Sequence, residues 1–296
     1  MRNPLYNDAA GTGDPDRVLA AAARAGDKSA LERLIVGHQP WIYNLAFRMV
    51  MDHDDAGDIT QEILIKIITN LALYDPQKGA FRTWVYRIVV NHVLNMKKRK
   101  FEVRIHDFDA YAAAIENFPD DSAYAHPDAV LLAEEVKTGC MLGMLLCLKR
   151  PERVAFLLGA VFGVQDAVGA GIMAVSRENF RQMLSRARKK VRQYMHATCG
   201  VVNPDNRCRC AHKVKAFLDL GMLDAKRLRY HRPSAPTVKA MIGARLTDFQ
   251  ETYYAPFLAN FRAQPFYDAP DVTAWLRKLL ETDAFKEIFN LDDDDR

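Results

Sequence analysis

The stretch FRTWVYRIVVNHVLNMKKRK (residues 81–100) joins an apolar helical pattern to a run of positive charge. Its first part places aromatic and aliphatic side chains at helical spacing, which is typical of a helix packed on a core. Its last four residues, 97–100, are all cations. The stretch therefore predicts a helix that packs through one face and presents the other to a polyanion such as nucleic acid.

The neighbouring sequence is also helical. Ile59, Ile63, Ile67 and Leu71 recur every four residues and share one face of a predicted helix. The segment LYDPQKGA (73–80) contains a proline and a glycine, which predicts a break before the next helix. We find no alternating strand pattern with hairpin turns. The sequence predicts an all-α fold.

Composition divides the chain of 296 residues further. The predicted parts are a flexible tail (1–15), a first helical domain (16–100), an acidic linker (101–129), a second helical domain with a helix-turn-helix (130–197), a cysteine-containing turn (198–212) and a helical C-terminal extension (213–296). The extension holds an aromatic-rich stretch (249–267) and an amphipathic one (272–289). We expect it to dock on the body of the protein or to bind a protein regulator; simple stabilisation of the fold is the alternative.

A second basic helix is predicted from VSRENFRQMLSRARKKVRQY (175–194). Its apolar residues Phe180, Leu184, Ala187 and Val191 share one face, and Ser176 is placed to cap its N-terminus. The preceding small residues predict a short helix and a turn, so the pair forms a helix-turn-helix that binds the major groove. Two glycines predict a weak supporting helix, because each costs about 1 kcal/mol relative to alanine. On periodicity alone, an ordinary solvated helix is an open alternative.

Several classes of protein are disfavoured. The formal net charge is only +4, but the cations are concentrated in two blocks, which indicates two contacts with a polyanion. No apolar run is long enough to span a membrane, and the N-terminus lacks a secretory signal, so we expect a cytoplasmic protein. Without a P-loop, an HExxH motif or a carboxylate cluster, we expect no enzymatic activity.

The five cysteines do not predict a disulfide framework. Cys140 and Cys147 lie on an apolar helical face and are expected in the core. Cys199, Cys208, Cys210 and His212 form a candidate zinc site, with redox-sensitive thiols and plain structural cysteines as alternatives. No other cofactor is expected.

Several motifs in order resemble the extracytoplasmic-function (ECF) group of sigma-70 factors. AGDKSALERLI (25–35), DHDDAGDITQEILIKI (52–67) and residues 81–100 resemble region 2. CLKRPERVAFLLGAVFG (147–163) and the basic helix resemble region 4. The resemblance implies an RNA polymerase sigma factor that binds core polymerase, recognises the −10 and −35 promoter elements and promotes melting and initiation.

The resemblance also implies roles for individual residues. Those expected to bind core polymerase are Asp54, Asp55, Asp58, Gln61 and Glu62. Those expected at the −10 element are Arg82, Trp84, Arg87, Asn91, Asn95, Lys97, Lys98, Arg99 and Lys100. Those expected at the −35 element are Ser176, Arg177, Asn179, Arg181, Gln182, Ser185, Arg186, Arg188 and Lys189. The alternative function is an autonomous helix-turn-helix regulator that binds duplex DNA without polymerase.

Overall fold

The computed structural model describes residues 15–121, 128–226, 228, 261–262 and 267–282. The helices are α1 (Pro15–Arg24), α2 (Lys28–Val50), α3 (His53–Thr69), α4 (Phe81–Asn95), α5 (Lys100–Arg104), α6 (Phe108–Asn117), α7 (Ala129–Leu146), α8 (Arg150–Phe156), α9 (Asp166–Met173), α10 (Arg177–Thr198), α11 (Cys210–Asp219) and α12 (Thr273–Glu281). Across these ranges there is one isolated β-bridge and no strand, which confirms the all-α prediction.

Helices α1 to α4 form the first bundle. The carboxylate of Asp27 caps α2 at the backbone N–H of Ala30 (2.9 Å), and Asp52 caps α3 in the same way. Trp41 and Phe81 are fully buried, and the Trp41 ring lies 4.4 Å from that of Tyr86. This aromatic core fixes α2 against α4. None of the helices in the described part of the chain is long and apolar enough to cross a membrane.

The segment predicted as an acidic linker contains two helices, α5 and α6. Tyr111 and Ile115 of α6 are buried, and the Tyr111 ring packs 5.9 Å from that of Tyr194. The acidic residues of α6 lie on its exposed side, so composition alone hid an amphipathic helix. Residues 122–127 of this segment lie outside the described ranges.

Helices α9 and α10 form the predicted helix-turn-helix. The hydroxyl of Ser176 accepts a hydrogen bond from the N–H of Asn179 (3.1 Å), which is the predicted cap. The apolar face of α10 is buried, and a β-carbon on Gly169 would lie 2.4 Å from Cζ of Phe180. That glycine therefore permits α9 to approach α10, a packing role that helix propensity does not reveal.

The described part of the C-terminal extension packs in two places. Helix α11 lies against α7, whereas α12 lies against α2. Leu276 and Leu280 of α12 are buried, as their spacing predicts. Most of the aromatic-rich stretch (249–267), the end of the amphipathic stretch and residues 1–14 of the predicted tail lie outside the described residues.

Candidate nucleic-acid and polymerase interface

The acidic residues of α3 form one surface. Asp54, Asp58 and Glu62 are exposed and recur every four residues, while Asp55 and Gln61 beside them are partly buried. All five residues predicted to bind polymerase thus lie on one helix and extend from its N-terminal turn. Carboxylates at that position are stabilised by the helix dipole and suit a basic partner.

Part of this acidic surface is paired with the basic run that follows α4. Arg99 lies 3.5 Å from a carboxylate oxygen of Asp55 and 3.6 Å from one of Glu62. Lys100 lies 2.8 Å from Asp52. Burial alone would raise the pKa of Asp52, but Lys100 and two backbone N–H groups outweigh it and lower that pKa. Arg99, predicted to bind the −10 element, therefore contacts residues that are predicted to bind core polymerase.

The remaining predicted −10 residues lie mainly along α4. Trp84, Arg87, Asn91 and Asn95 follow one another at spacings of three, four and four, which places them on one face. Trp84 is half-buried, and its ring packs 5.4 Å from that of Phe81. Asn91, Asn95 and the two lysines that follow, Lys97 and Lys98, are exposed. Arg82 lies 3.8 Å from Asp16 of α1.

A groove of about 690 Å³ runs between α3 and α4. It is lined by Glu62, Lys66, Asn70, Ile88, Asn91, His92, Asn95, Met96, Lys97 and Arg99. His92 was not predicted: its Nδ1 lies 2.8 Å from Nζ of Lys66 and its Nε2 lies 3.2 Å from Glu62. Burial and the Lys66 charge lower the pKa of His92, so the ring is neutral at pH 7. The groove therefore presents amide, imidazole and cationic groups together.

The second cationic surface lies on α10. Most of the predicted −35 residues are exposed: Ser176, Arg177, Asn179, Arg181, Gln182, Ser185, Arg186 and Lys189, with Arg188 partly buried. Arg181, Ser185, Arg188 and Lys189 also line a shallow groove of about 420 Å³ together with Arg192, which the prediction omitted. This helix face is suited to phosphate contacts along a major groove.

A carboxylate of α9 engages the first turn of α10. Asp166 Oδ1 accepts a hydrogen bond from Nε of Arg177 (2.8 Å), and its other oxygen accepts one from Arg181. The hydrogen bond from Arg177 has the largest effect on the pKa of Asp166 and lowers it, and the hydrogen bond from Arg181 lowers it further. Asp166 could not be identified from the sequence, because the contact depends on how two helices pack.

A second carboxylate joins the two halves of the protein, of which the first comprises α1 to α5 and the second α6 to α11. Glu102 of α5 pairs with Arg150 (2.8 Å) and Arg153 (2.9 Å) of α8, and all three were missed. Arg153 also donates to the carbonyl oxygens of Leu146 and Leu148 (both 3.0 Å). Burial would raise the pKa of Glu102, but the two guanidinium groups outweigh it and lower that pKa. Glu102 is therefore a buried carboxylate whose two oxygens both accept hydrogen bonds.

The two surfaces predicted to bind DNA are in contact in this conformation. Nε of Arg87 on α4 donates to the carbonyl oxygen of Gly171 on α9 (3.0 Å). The first helix of the helix-turn-helix therefore packs on the helix predicted to bind the −10 element.

The cysteine-containing turn does not form a metal site. The backbones of Cys199 and Cys208 form an isolated β-bridge and both thiols are free, while Nδ1 of His212 lies 3.0 Å from Asp120. Among the residues that the structure describes, no group of three or more His, Cys, Asp or Glu side chains could hold a metal ion. Burial, followed by the neighbouring thiols, raises the pKa of Cys210 to about 12, so this thiol is protonated at pH 7. The zinc hypothesis has no structural support.

Comparison with known proteins agrees with this arrangement. The family model described as Sigma-70 region 2 matches residues 34–103. The chain is 27% identical over 175 residues to the ECF RNA polymerase sigma factor SigE of Mycolicibacterium smegmatis (57% of this chain, 64% of that protein). It is 32% identical over 129 residues to the RNA polymerase sigma-H factor of Pseudomonas aeruginosa (43% and 66%). It thus spans slightly less than two thirds of these two relatives.

A third relative is covered almost completely. The chain is 30% identical over 181 residues to the ECF RNA polymerase sigma-E factor of Escherichia coli, which is 60% of this chain and 92% of that protein. A solved structure, CnrH in complex with the cytosolic domain of CnrY, aligns at 22% identity with a TM-score of 0.44 and covers 62% of this chain and 97% of CnrH. The alignment with the E. coli factor decides the family: the chain belongs to the ECF RNA polymerase sigma factors.

Proposed function

We propose that this protein binds core RNA polymerase, recognises the −10 and −35 promoter elements, and promotes melting and transcription initiation. One observation carries the proposal. The alignment with the E. coli factor covers 181 residues and 92% of that protein, so it extends well beyond the region 2 match at residues 34–103. The similarity therefore extends beyond region 2, which supports a second promoter contact.

The acidic face of α3 supplies the polymerase-binding surface in this proposal. Asp54, Asp58 and Glu62 project from one exposed helix face and complement a basic partner. The pairing of Arg99 with Asp55 and Glu62 leaves part of this charge compensated within the protein. Polymerase then gains most from the carboxylates at the exposed edge, Asp54 and Asp58.

The groove between α3 and α4 supplies the −10 surface. Exposed single strands bind to grooves that combine cations with groups able to stack or hydrogen-bond to bases. Asn91 and Asn95 provide the hydrogen-bonding groups, and Lys97 and Lys98 provide charge at the end of the groove. The face of α10 supplies the −35 surface, with later cations neutralising phosphates.

Simultaneous use of both DNA surfaces requires the protein to open. Elements named −10 and −35 lie about 25 base pairs apart, which is about 85 Å of duplex. The hydrogen bond between Arg87 and Gly171 holds α4 and α9 together in the compact conformation. We therefore expect polymerase binding to separate the halves, with the segment 101–129 providing the reach.

Reconstituted transcription tests the proposal. Purified protein and core polymerase are incubated with fragmented genomic DNA, and the 5′ ends of the transcripts are sequenced. We expect discrete start sites that share two upstream elements, and a large decrease with Arg188→Ala/Lys189→Ala on α10. Initiation no higher than with core polymerase alone, together with tight binding to duplex DNA without polymerase, would instead establish the autonomous regulator.

A further inference from the structure

Helix α2 carries two buried polar side chains that hydrogen-bond within the helix and also contact a C-terminal segment. Asn44 is fully buried and Arg48 nearly so, although both belong to the apolar stretch WIYNLAFRMV (41–50). A buried amide or guanidinium group is strongly destabilising unless it is hydrogen-bonded. The described C-terminal segment (261–262 and 267–282) supplies partners for both residues.

The backbone of this segment pairs with the amide of Asn44. Asn44 Oδ1 accepts a hydrogen bond from the N–H of Tyr267 (2.7 Å), and Asn44 Nδ2 donates to the carbonyl oxygen of Tyr267 (2.8 Å). The guanidinium carbon of Arg48 lies 5.7 Å from the centre of the Tyr267 ring, a cation–π distance. Asn44 thus uses both its donor and its acceptor on a single residue of the C-terminal segment.

The segment then continues along α2 in the opposite direction. Nε2 of Gln39 donates to the carbonyl oxygen of Pro270. Further on, Nη2 of Arg277 lies 2.8 Å from a carboxylate oxygen of Glu32. Three positions spaced along α2 therefore contact the segment: Asn44 and Gln39 through its backbone and Glu32 through its charge.

The docked segment lies beside the acidic surface of α3. The ring of Tyr267 meets the ring of His53 edge-on at 5.8 Å. Cγ of Pro270 lies 3.9 Å from the position of a β-carbon on Gly57. His53 and Gly57 are one turn apart and adjoin Asp54 and Asp58, so the segment covers the flank of the surface assigned to polymerase.

The segment also contacts the other half of the protein. The rings of Phe261 and Phe156 lie 5.4 Å apart, and Nε of Arg262 donates to the carbonyl oxygen of Ala160 (2.8 Å). Phe156 and Ala160 belong to α8 and the π-helical turn that follows it. One segment therefore contacts both halves whose separation the proposed function requires.

We propose that the α2–α3 surface around Asn44 and His53 is a binding site for the chain's own C-terminal segment, which competes there with core RNA polymerase. The proposal rests on the proposed function. In the docked state the segment covers the flank of α3 and holds the halves together. In the released state α3 is accessible, and the halves are held only by their remaining contacts, among them the Glu102 cluster. Polymerase affinity is then reduced by the fraction of molecules that are docked.

The test measures the dissociation constant for purified core polymerase with the full-length chain and with Tyr267→Ala. This substitution removes the ring packed against Arg48 and His53 but keeps the backbone groups that pair with Asn44. We expect the variant to bind about tenfold more tightly, because it raises the fraction of open molecules. Circular dichroism establishes that the variant is folded.

A charge swap provides a second test that leaves the core unchanged. Arg277→Glu and Glu32→Arg should each raise polymerase affinity, and the double variant should return it toward the natural value. Lys278→Glu is the matched control, since it makes the same charge change at an exposed neighbour on α12 and should have no effect.

The outcomes separate the two proposals. If the natural chain binds polymerase and neither Tyr267→Ala nor the single charge variants bind more tightly, the segment is only a structural part of the fold and the competition proposal is overturned. If no form binds polymerase, the proposed function falls as well. Binding by Tyr267→Ala alone would be the strongest support for both.

Discussion

Two carboxylates in this protein are each shared by two arginines, and they differ in burial. Glu102 is only 2% exposed and holds Arg150 and Arg153 between the two halves. Asp166 is 23% exposed and holds Arg177 and Arg181 (58% and 52% exposed) at the start of α10. The chemistry is the same in both clusters. Burial makes the first a structural joint, while exposure leaves the second open to competition from another anion.

The two clusters are expected to differ because their remaining charges have different access to water once one partner is removed. Removing one partner from a buried ion cluster leaves the others desolvated and unpaired, whereas exposed arginines regain water. The comparison therefore predicts large stability effects at Glu102 and mainly binding effects at Asp166.

The largest expected effect follows from Glu102→Ala. The variant leaves Arg150 and Arg153 without their carboxylate, so unfolding free energy should fall by about 3–5 kcal/mol. Urea denaturation followed by circular dichroism measures it. The control is Lys78→Ala, which breaks the exposed Asp75–Lys78 pair (3.4 Å) and should change stability by less than about 1 kcal/mol. Equal losses in both variants would remove the distinction between the clusters.

The packing under the Asp166 cluster can be broken without changing any charge. Gly169→Ala drives a β-carbon into the ring of Phe180, so stability should fall by about 1–3 kcal/mol. Gly171→Ala is the matched control, since its β-carbon would meet only Nη2 of Arg87 at 3.8 Å. Better helix propensity should leave the control as stable as the natural chain or more so. Thermal melts of both variants measure the change in stability. A Gly169→Ala variant as stable as the natural chain would refute the packing argument.

The pH dependence of stability distinguishes the clusters next. The pKa of Glu102 is lowered in the folded protein, so below the unfolded value of about 4.3 the unfolded chain binds more protons. Its contribution is complete above that pH and is lost as pH falls through the folded pKa. Glu102→Gln should flatten the decrease in unfolding free energy between pH 5 and pH 3. An unchanged slope would mean that folding does not lower the pKa of Glu102.

The smallest stability effect and the clearest binding effect are expected from Asp166→Asn. Releasing Arg177 and Arg181 frees two cations for phosphates, so affinity for duplex DNA should rise several-fold and become more salt-dependent. Fluorescence anisotropy at several salt concentrations measures both. Asp205→Asn, an exposed carboxylate beyond α10, is the control. Weaker binding by Asp166→Asn would show instead that Asp166 orients the arginines for DNA.

Local pattern predicted the features that depend on local physics. The apolar face of α10, the Ser176 cap and the break before α4 follow from spacing and capping chemistry, and the structure has all three. The acidic composition of residues 101–129 was misleading because the buried face of α6 is carried by few residues, among them Tyr111 and Ile115.

Long-range pairing could not be predicted from one sequence. Nothing local links Glu102 to Arg153, Asp166 to Arg181 or Asn44 to Tyr267, since each pair meets only through the tertiary fold. A polar residue inside an apolar run, as Asn44 is, was the available signal that a partner exists.

Core polymerase binding tests the central claim most directly. The dissociation constant is measured for the natural chain, for Asp58→Ala/Gln61→Ala on α3, and for the control Asp219→Ala/Gln193→Ala at exposed positions elsewhere. The account predicts binding by the natural chain and the control, and markedly weaker binding by the α3 variant. Equal binding by all three, or no binding by either the natural chain or Tyr267→Ala, would contradict the assignment of α3 as the polymerase surface.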